Sequence, residues 1–432
     1  MPSGIGARAA ETGALLALGS FRLAAALARS RGRSRVAVTA EVAVRTLERL
    51  GPTYIKLGQI LATRRDLLPE SAVVELERLQ DRVRPASFDD VPALFRRELG
   101  VSPEDVLSEL DPVPVACGGV ACVYRGRLRD GSAVAIKVRR PDVARRIHLD
   151  LRLLRFGARA LTLLPPLRRL PLVEGIDEFG AGLRRQIDFR LEAEANRRIR
   201  GAVSGERNVL VPRLVNELSS ESLLTMELLP VGSARRDARC VPALLAALRA
   251  LYRMIFVDGF VHCDLHGANL FLFPDGTAAL VDFGFVAELP TETRLTFAEF
   301  FLAMASDDGR RCARITVETA SFVPPELDYP AFEGEVCRLV SRAAGASIED
   351  FSVAGFVGGL FDIQRRHRVV GTSEFVMAIV ALLVFEGTAK TVAGGIDFGS
   401  EAAPFVMQAL GERMEAGRSA ALAEVEAALS AA

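Results

Sequence analysis

The stretch His262-Cys263-Asp264-Leu265-His266-Gly267-Ala268-Asn269, followed at a short remove by Asp282-Phe283-Gly284, decides how this chain is read. It has the form H-x-D-x-x-x-x-N and then D-F-G. In that pattern Asp264 is placed to accept a hydroxyl proton, while the amide oxygen of Asn269 and the carboxylate of Asp282 offer hard oxygen ligands to a magnesium ion. Residues 270–273 and 277–281 between them are apolar and read as two strands, joined by Pro274-Asp275-Gly276, a turn. A hairpin there fixes the spacing of the two metal ligands. The chemistry it points to is phosphoryl transfer. A zinc reading of His262, Cys263 and His266 fails for want of a second ligand cluster, since Asp264 and Asn269 account for the segment without one.

Lysine gives the second signal. The chain has 54 basic residues, of which only Lys56, Lys137 and Lys390 are lysines. A lysine kept against such an arginine bias needs a reason. Lys137 ends Val134-Ala135-Ile136-Lys137, an alternating strand after Asp130-Gly131, the order of the phosphate-pairing lysine in kinases. A compact ammonium fits between phosphate oxygens and a carboxylate, where a planar guanidinium is too large and too directional. Lys56 lies in Tyr54-Ile55-Lys56-Leu57-Gly58-Gln59, and Lys390, which has no motif around it, reads as a solvated charge.

Composition bounds the rest. With 432 residues, 50% of them hydrophobic and 25% charged, the chain can bury a large core and is expected to hold two or three units. The 54 acidic residues balance the basic ones, which argues against a nucleic-acid footprint. Cys117, Cys122, Cys240, Cys263, Cys312 and Cys337 show no C-x-x-C spacing, so reduced thiols in a cytoplasmic setting are expected. The apolar runs 13–27, broken by Arg22, and 375–385 fall short of the roughly 20 residues a bilayer requires, and no signal peptide is expected. Membrane contact would then be peripheral, through an arginine-bearing amphipathic helix around Phe21, Arg22, Leu23 and Arg29 on the inner face of the membrane. Nothing in the sequence speaks to oligomeric state.

Along the chain, residues 11–50 read as amphipathic helices stopped by Gly51-Pro52. A segment 53–64, a break at Leu67-Leu68-Pro69, a helix through 75–81 and another over 88–99 follow. From Pro112 the period changes to two, with strands expected over 115–123, 124–128 and 133–138. A long helical stretch is interrupted at Leu164-Pro165-Pro166 and resumes over 177–200. Strands over 209–215 and 223–229 come next, with Glu227 in the place of a hinge residue. After Pro230-Val231-Gly232 the chain reads as largely helical apart from the catalytic hairpin. Past Asp282-Phe283-Gly284 it enters a helix near Thr293 without an A-P-E element or a long activation segment, so a peptide-binding platform is missing.

These residues together resemble the UbiB/AarF/ADCK atypical kinase family, over about residues 51–395. Lys56-Leu57-Gly58-Gln59 answers its K-x-G-Q signature, which general protein kinases lack. Leu79-Gln80-Asp81 answers its L-Q-D, residues 134–137 with Arg140-Pro141 its lysine strand, and residues 262–269 its H-A-D-P-H-P-G-N loop. The resemblance implies an α+β, bilobal protein-kinase-like fold with a small β-rich N-lobe, a helical C-lobe and an added N-terminal helical extension over the place where a kinase admits a peptide. The expected divisions are 1–110 for the extension, 111–230 for the N-lobe with a helical insertion, and 231–432 for the C-lobe.

Three departures matter. The family's nucleotide loop runs roughly A-A-A-S-x-x-Q-V, whereas this one is Ala116-Cys117-Gly118-Gly119-Val120-Ala121-Cys122-Val123, part of the way toward a glycine-rich phosphate loop. Glycine lets backbone amides approach phosphates and tolerates positive φ, which leaves the preference between ATP and ADP open. The family's E-x-D becomes Gln186-Ile187-Asp188, so the expected partner of Lys56 is an amide. Leu265, Gly267 and Ala268 replace prolines and glycine in the catalytic loop.

By resemblance, Lys137 contacts the α and β phosphates and pairs with Glu192, with Glu194 as competitor. Ala116, Cys117, Gly118, Gly119, Val120 and Glu227 line the nucleotide, Asn269 and Asp282 hold Mg2+, and Asp264 is the base or orients a water. His262 braces the D-F-G backbone, and Asp188 supports metal or loop, or merely faces solvent. The implied activity is Mg-ATP-dependent, in support of isoprenoid quinone biosynthesis or related lipid handling, with a lipid or quinone precursor as partner. Two alternatives stand beside it: a small-molecule phosphotransferase of the aminoglycoside or choline type, and a nucleotide-gated binding module.

Overall fold

Gly51 and Pro52 divide the N-terminal helices as the sequence requires. Gly51 adopts φ 103° and ends α2 (Arg35–Leu50), which follows α1 (Ile5–Arg29); Pro52 opens α3 (Pro52–Thr63), where a missing N–H costs nothing. The computed structural model describes residues 4–30, 34–63, 68–79, 87–163, 172–346, 351–393 and 395–431. These form two units, Met1–Glu194 with Pro212–Leu228, and Ala195–Val211 with Leu229–Ala432.

In the first unit α2 packs on α1, α3 and α4 (Glu70–Leu76), with Val44, Ile55, Ala62, Leu76 and Leu79 as the local core. Gly58 marks the closest approach. A Cβ there would run into Leu79, lie 2.9 Å from Leu47 and meet Leu76 at 3.6 Å. Gln59 donates from Nε2 to the carbonyl of Leu79 at 3.1 Å, tying α3 to the residues that follow α4. Gly58→Val is therefore expected to destabilise this unit by about 2 kcal/mol through overpacking, read as a fall in the midpoint of urea unfolding; an unchanged midpoint would show that the three leucines yield without cost. Arg8 of α1 is buried, with its Nε 2.6 Å from Asp150 Oδ1 and its Nη2 2.6 Å from the carbonyl of Leu50. Removing one partner would strand a buried charge, so this contact pins the start of the extension.

The chain continues through α5 (Asp90–Leu99), α6 (Pro103–Val106), β1 (Leu107–Leu110), β2 (Ala116–Cys117), β3 (Ala121–Leu128), β4 (Ala133–Arg139), α7 (Val143–Leu161), α8 (Leu172–Ile187) and α9 (Phe189–Ala202). Asp150 lies on α7, which packs on α1, α3 and α8. Strand β5 (Val209–Leu210) belongs to the second unit and β6 (Leu223–Glu227) to the first. The antiparallel sheet has the order β1-β3-β4-β6, with β2 on β3. Alternation sends Val134, Ile136 and Val138 of β4 into a core with Val91, Leu94 and Phe95 of α5, and so turns Lys137 to the opposite face.

The second unit is built on α10 (Val241–Arg253), with strands β7 (Phe260–His262), β8 (Leu270–Leu272), β9 (Ala278–Leu280) and β10 (Val286–Glu288) beside it. Helices α11 (Thr291–Ala305), α12 (Gly309–Glu318), α13 (Tyr329–Ala344), α14 (Val353–His367), α15 (Ser373–Ala389) and α16 (Phe398–Ala431) follow, with β11 (Ala320–Phe322) pairing with β12 (Val370–Gly371). Leu244, Leu248, Phe256, Phe297, Val376 and Phe385 are among its fully buried core.

The structure differs from the sequence-based expectation in several places. Cys117 and Cys122 are joined in a disulfide, which corrects the expectation of reduced thiols throughout. The pairing of β2 with β3 sets them opposite each other, a juxtaposition that depends on hairpin register and not on a C-x-x-C spacing. Gly118 and Gly119 are not among the glycines with positive φ. The stretch 177–200 is two helices. The break falls at Asp188, because the N–H of Phe189 donates to the carbonyl of Glu221 at 3.0 Å. Strand 209–215 shrinks to β5, and β1 was not foreseen. The helix α1 runs unbroken through Arg22, and it and the stretch Ala238–Asp258 are long and apolar enough by length and composition to cross a bilayer. The latter is mostly buried inside the second unit. Gln80, Asp81 and the Leu164-Pro165-Pro166 break lie outside the described residues.

Candidate active-site residues

In the first unit, Lys137 donates from Nζ to both carboxylate oxygens of Glu192, at 2.8 and 2.9 Å. Its face of the sheet is covered by the start of α9, where Phe189 and Ala193 pack on Ala121, Leu224 and Met226. Glu192 follows Phe189 by three residues and shares its side of the helix. The Lys137 ammonium lies 5.4 Å from the centre of the Phe189 ring, within reach of a cation–π attraction. Glu192 is almost fully buried and Lys137 only 12% exposed.

Asp188, just before α9, accepts from the N–H of Arg190 at 3.1 Å and holds its guanidinium at 2.7 and 2.9 Å. These bonds from Arg190 hold the carboxyl below the usual carboxylate range. Gln186 is half-buried in the last turn of α8, which packs on α3, the helix of Lys56; among the described residues Gln186 makes no side-chain hydrogen bond to Lys56. Glu227 ends β6 opposite Val134, its Oε2 3.3 Å from the N–H of Arg213.

The segment expected to face a nucleotide is a tight turn between β2 and β3. Ala116 is exposed, Gly119 is buried, and Gly118 donates its N–H to the carbonyl of Ala121 at 2.8 Å. Arg140 was not foreseen as a loop residue, yet its N–H donates to Val120 at 2.9 Å and its Nη1 reaches the carbonyl of Gly118 at 3.4 Å.

In the second unit β7 pairs with β10, and the loop from Cys263 to Asn269 returns into the hairpin β8–β9. The turn of that hairpin has Gly276 at φ 89°, a conformation glycine adopts without strain. Val281 donates its N–H to the carbonyl of Asn269 at 3.0 Å, so Asp282 is held beside Asn269 in sequence register. Asn269 gives its side-chain N–H to the carbonyl and to Oδ2 of Asp264, at 3.0 and 3.2 Å. That choice assigns nitrogen to the Asp264 side and leaves oxygen for a cation. Asp282 is exposed at φ 59°, a left-handed backbone that Asp and Asn accept more readily than other side chains.

His262 is fully buried. It takes the N–H of Asp264 on Nδ1 at 3.2 Å and lies 3.2 Å from the carbonyl of Val281 through Nε2. That pattern makes the ring neutral with its proton on Nε2, and burial lowers its pKa. Its ring meets that of Phe283 edge-on, 5.3 Å between centres. His262 thus braces both Asp264 and the residues around Asp282. His266 Nε2 is 3.6 Å from Asp264 Oδ2. Gly267 lies under Arg236, whose guanidinium donates to its carbonyl, and any side chain at 267 would collide with it. Thr388 of α15 bonds the carbonyl of Leu265 at 3.1 Å, a second brace.

The donors at Asn269 and Asp282 suit magnesium, which takes one or two protein oxygens and completes its shell with water and phosphate. No cluster of three or more His, Cys, Asp or Glu that could hold a metal is found among the described residues.

The ABC1 atypical kinase-like domain matches residues 78–316. The chain belongs to the ABC1 atypical kinase-like family. A probable protein kinase UbiB of Tolumonas auensis is 32% identical over 83% of this chain and 68% of its own length, and one of Shewanella halifaxensis is 30% identical over 85% and 69%. An uncharacterized Synechocystis protein is 30% identical over 77% of the chain and 85% of its own length. A Mycobacterium tuberculosis protein solved in complex with erythromycin has a TM-score of 0.55 and 19% identity, covering 82% of this chain and 92% of that one. Membership of the ABC1 family accords with the α+β kinase-like fold and its helical extension.

Proposed function

We propose that this ABC1-family chain is a Mg-ATP-dependent atypical kinase or ATPase acting on a small or lipid-like acceptor, in support of isoprenoid quinone biosynthesis or related lipid handling. The observation that carries it is the pairing of Lys137 with Glu192 in a chain with only three lysines. In this reading Lys137 takes the α and β phosphates, oriented by Glu192, and residues 116–120 approach the phosphates through backbone amides. Asn269 and Asp282 hold Mg2+, which would neutralise phosphate charge when bound. Asp264 accepts the proton of the attacking hydroxyl or water, kept in place by Asn269 and His262. Helix α11 follows β10 at once, with no segment between them long enough to form a peptide platform, which favours a small acceptor over a protein.

The test is a labelled-phosphate screen of purified protein with ATP and magnesium against anionic liposomes, phenolic quinone-precursor mimics, aminoglycosides and choline. ADP formation stimulated by liposomes or phenolic mimics supports the reading; a labelled aminoglycoside or choline product supports the small-molecule phosphotransferase instead.

Peripheral membrane contact would run through α1, where Ile5, Leu16, Leu18 and Phe21 are exposed with Arg22 and Arg29. The protein is expected to sediment with anionic liposomes at low salt and to be released at high salt, as screening weakens the arginine attraction. Full recovery in the supernatant at low salt would contradict this attachment.

A further inference from the structure

The turn read above as a phosphate loop is also a covalent ring. Cys117 closes β2, Cys122 lies opposite it on β3, and their joined sulfurs enclose Gly118, Gly119, Val120 and Ala121. The register of the hairpin sets the two cysteines directly opposite each other, so they act as a pair. Inside the ring the N–H of Gly118 is spent on the carbonyl of Ala121 at 2.8 Å, and Arg140 holds Val120 at 2.9 Å and Gly118 at 3.4 Å from outside. One backbone amide of the tip is therefore turned inward, and the ring removes the freedom by which it could turn out toward a phosphate.

We propose that Cys117 and Cys122 are a reversible thiol–disulfide modification site that sets the loop's grip on nucleotide, weaker when bridged and stronger when both thiols are free. The effect on nucleotide rests on the proposed function; the bridge does not. The oxidant is a low-molecular-weight disulfide, R–S–S–R. Cys117, the less buried of the two, attacks it as the thiolate, forming a mixed disulfide and expelling one RS⁻. Cys122 then attacks the Cys117 sulfur of the mixed disulfide and expels the second RS⁻. Two protein thiols are oxidised, one R–S–S–R is reduced to two R–SH, and the two protons pass to the leaving thiolates. Excess R–SH reverses both steps.

The experiment equilibrates the full chain in oxidised or reduced glutathione, reads the 117–122 linkage by peptide mass, and measures Mg-ATP affinity in each state. The linkage is expected to form and break with the poise, and the bridged protein to bind about fivefold more weakly, the worth of one ordinary hydrogen bond. Cys122→Ser, with Cys122→Ala as a second variant because the site is buried, is expected to show no dependence on poise. Free thiols at both positions under oxidised glutathione, or a linkage that survives excess reduced glutathione, would overturn the site. Equal affinity in demonstrably bridged and free protein would overturn the control of nucleotide. Absence of nucleotide binding in both states would count against the proposed function instead, with the linkage still read by mass.

Discussion

Lys137→Arg is expected to lower ADP formation by at least about tenfold, or roughly 1.4 kcal/mol of barrier. The substitution keeps the charge and changes the shape. Lys137 sits with its ammonium 2.8 and 2.9 Å from the two oxygens of Glu192 and over the ring of Phe189. A point-like ammonium can share itself between that carboxylate and a phosphate, whereas a guanidinium fork engages the carboxylate bidentately and stands too wide. Lys390→Arg serves as control, since Lys390 is exposed and paired with Glu386 at 3.3 Å on its own helix end. Steady-state ADP release with urea unfolding of each variant separates chemistry from stability. Wild-type turnover in Lys137→Arg would reduce the Lys137–Glu192 pair to a structural contact.

Asp282→Asn is expected to remove magnesium-dependent nucleotide binding. At a ligand concentration of 100 times Kd, binding stabilises a native protein by about 2.7 kcal/mol, and this gain should vanish from thermal melts of the variant. Asparagine tolerates the left-handed backbone at φ 59° that Asp282 occupies and keeps an oxygen to accept the N–H of Gly284, so the local turn is retained while the negative charge is lost. Retained stabilisation by magnesium and ATP would show that Asp282 is not a ligand.

How much of this was legible in the sequence depends on whether the cause was local. The β8–β9 hairpin was, because Pro274, Asp275 and Gly276 specify a turn between two apolar runs, and the turn sets the register of Asn269 and Val281. The lysine strand was legible too, since alternation alone puts Val134, Ile136 and Val138 on one face and Lys137 on the other. What escaped has causes distant in the chain. Strand β1 reads Leu-Ser-Glu-Leu, too short and polar to signal itself, and exists because β3 offers it an edge. The end of α8 at Ile187 is made by a bond to Glu221, and Arg236 reaches Gly267 from outside the loop 263–269. No local pattern foretold either. The Cys117–Cys122 bridge needed the register of a hairpin whose turn residues suggested only glycine freedom.

Under the proposed function, the residues around Asp264 and Asp282 support magnesium-dependent turnover of ATP. The most direct measurement is ADP formation by the purified chain with ATP, with magnesium and with magnesium removed by a chelator, beside Asp264→Asn. The expected result is ADP in the first condition and loss of it in both others. ADP formation that continues unchanged in Asp264→Asn, or none from wild-type protein shown to bind Mg-ATP, would contradict the account.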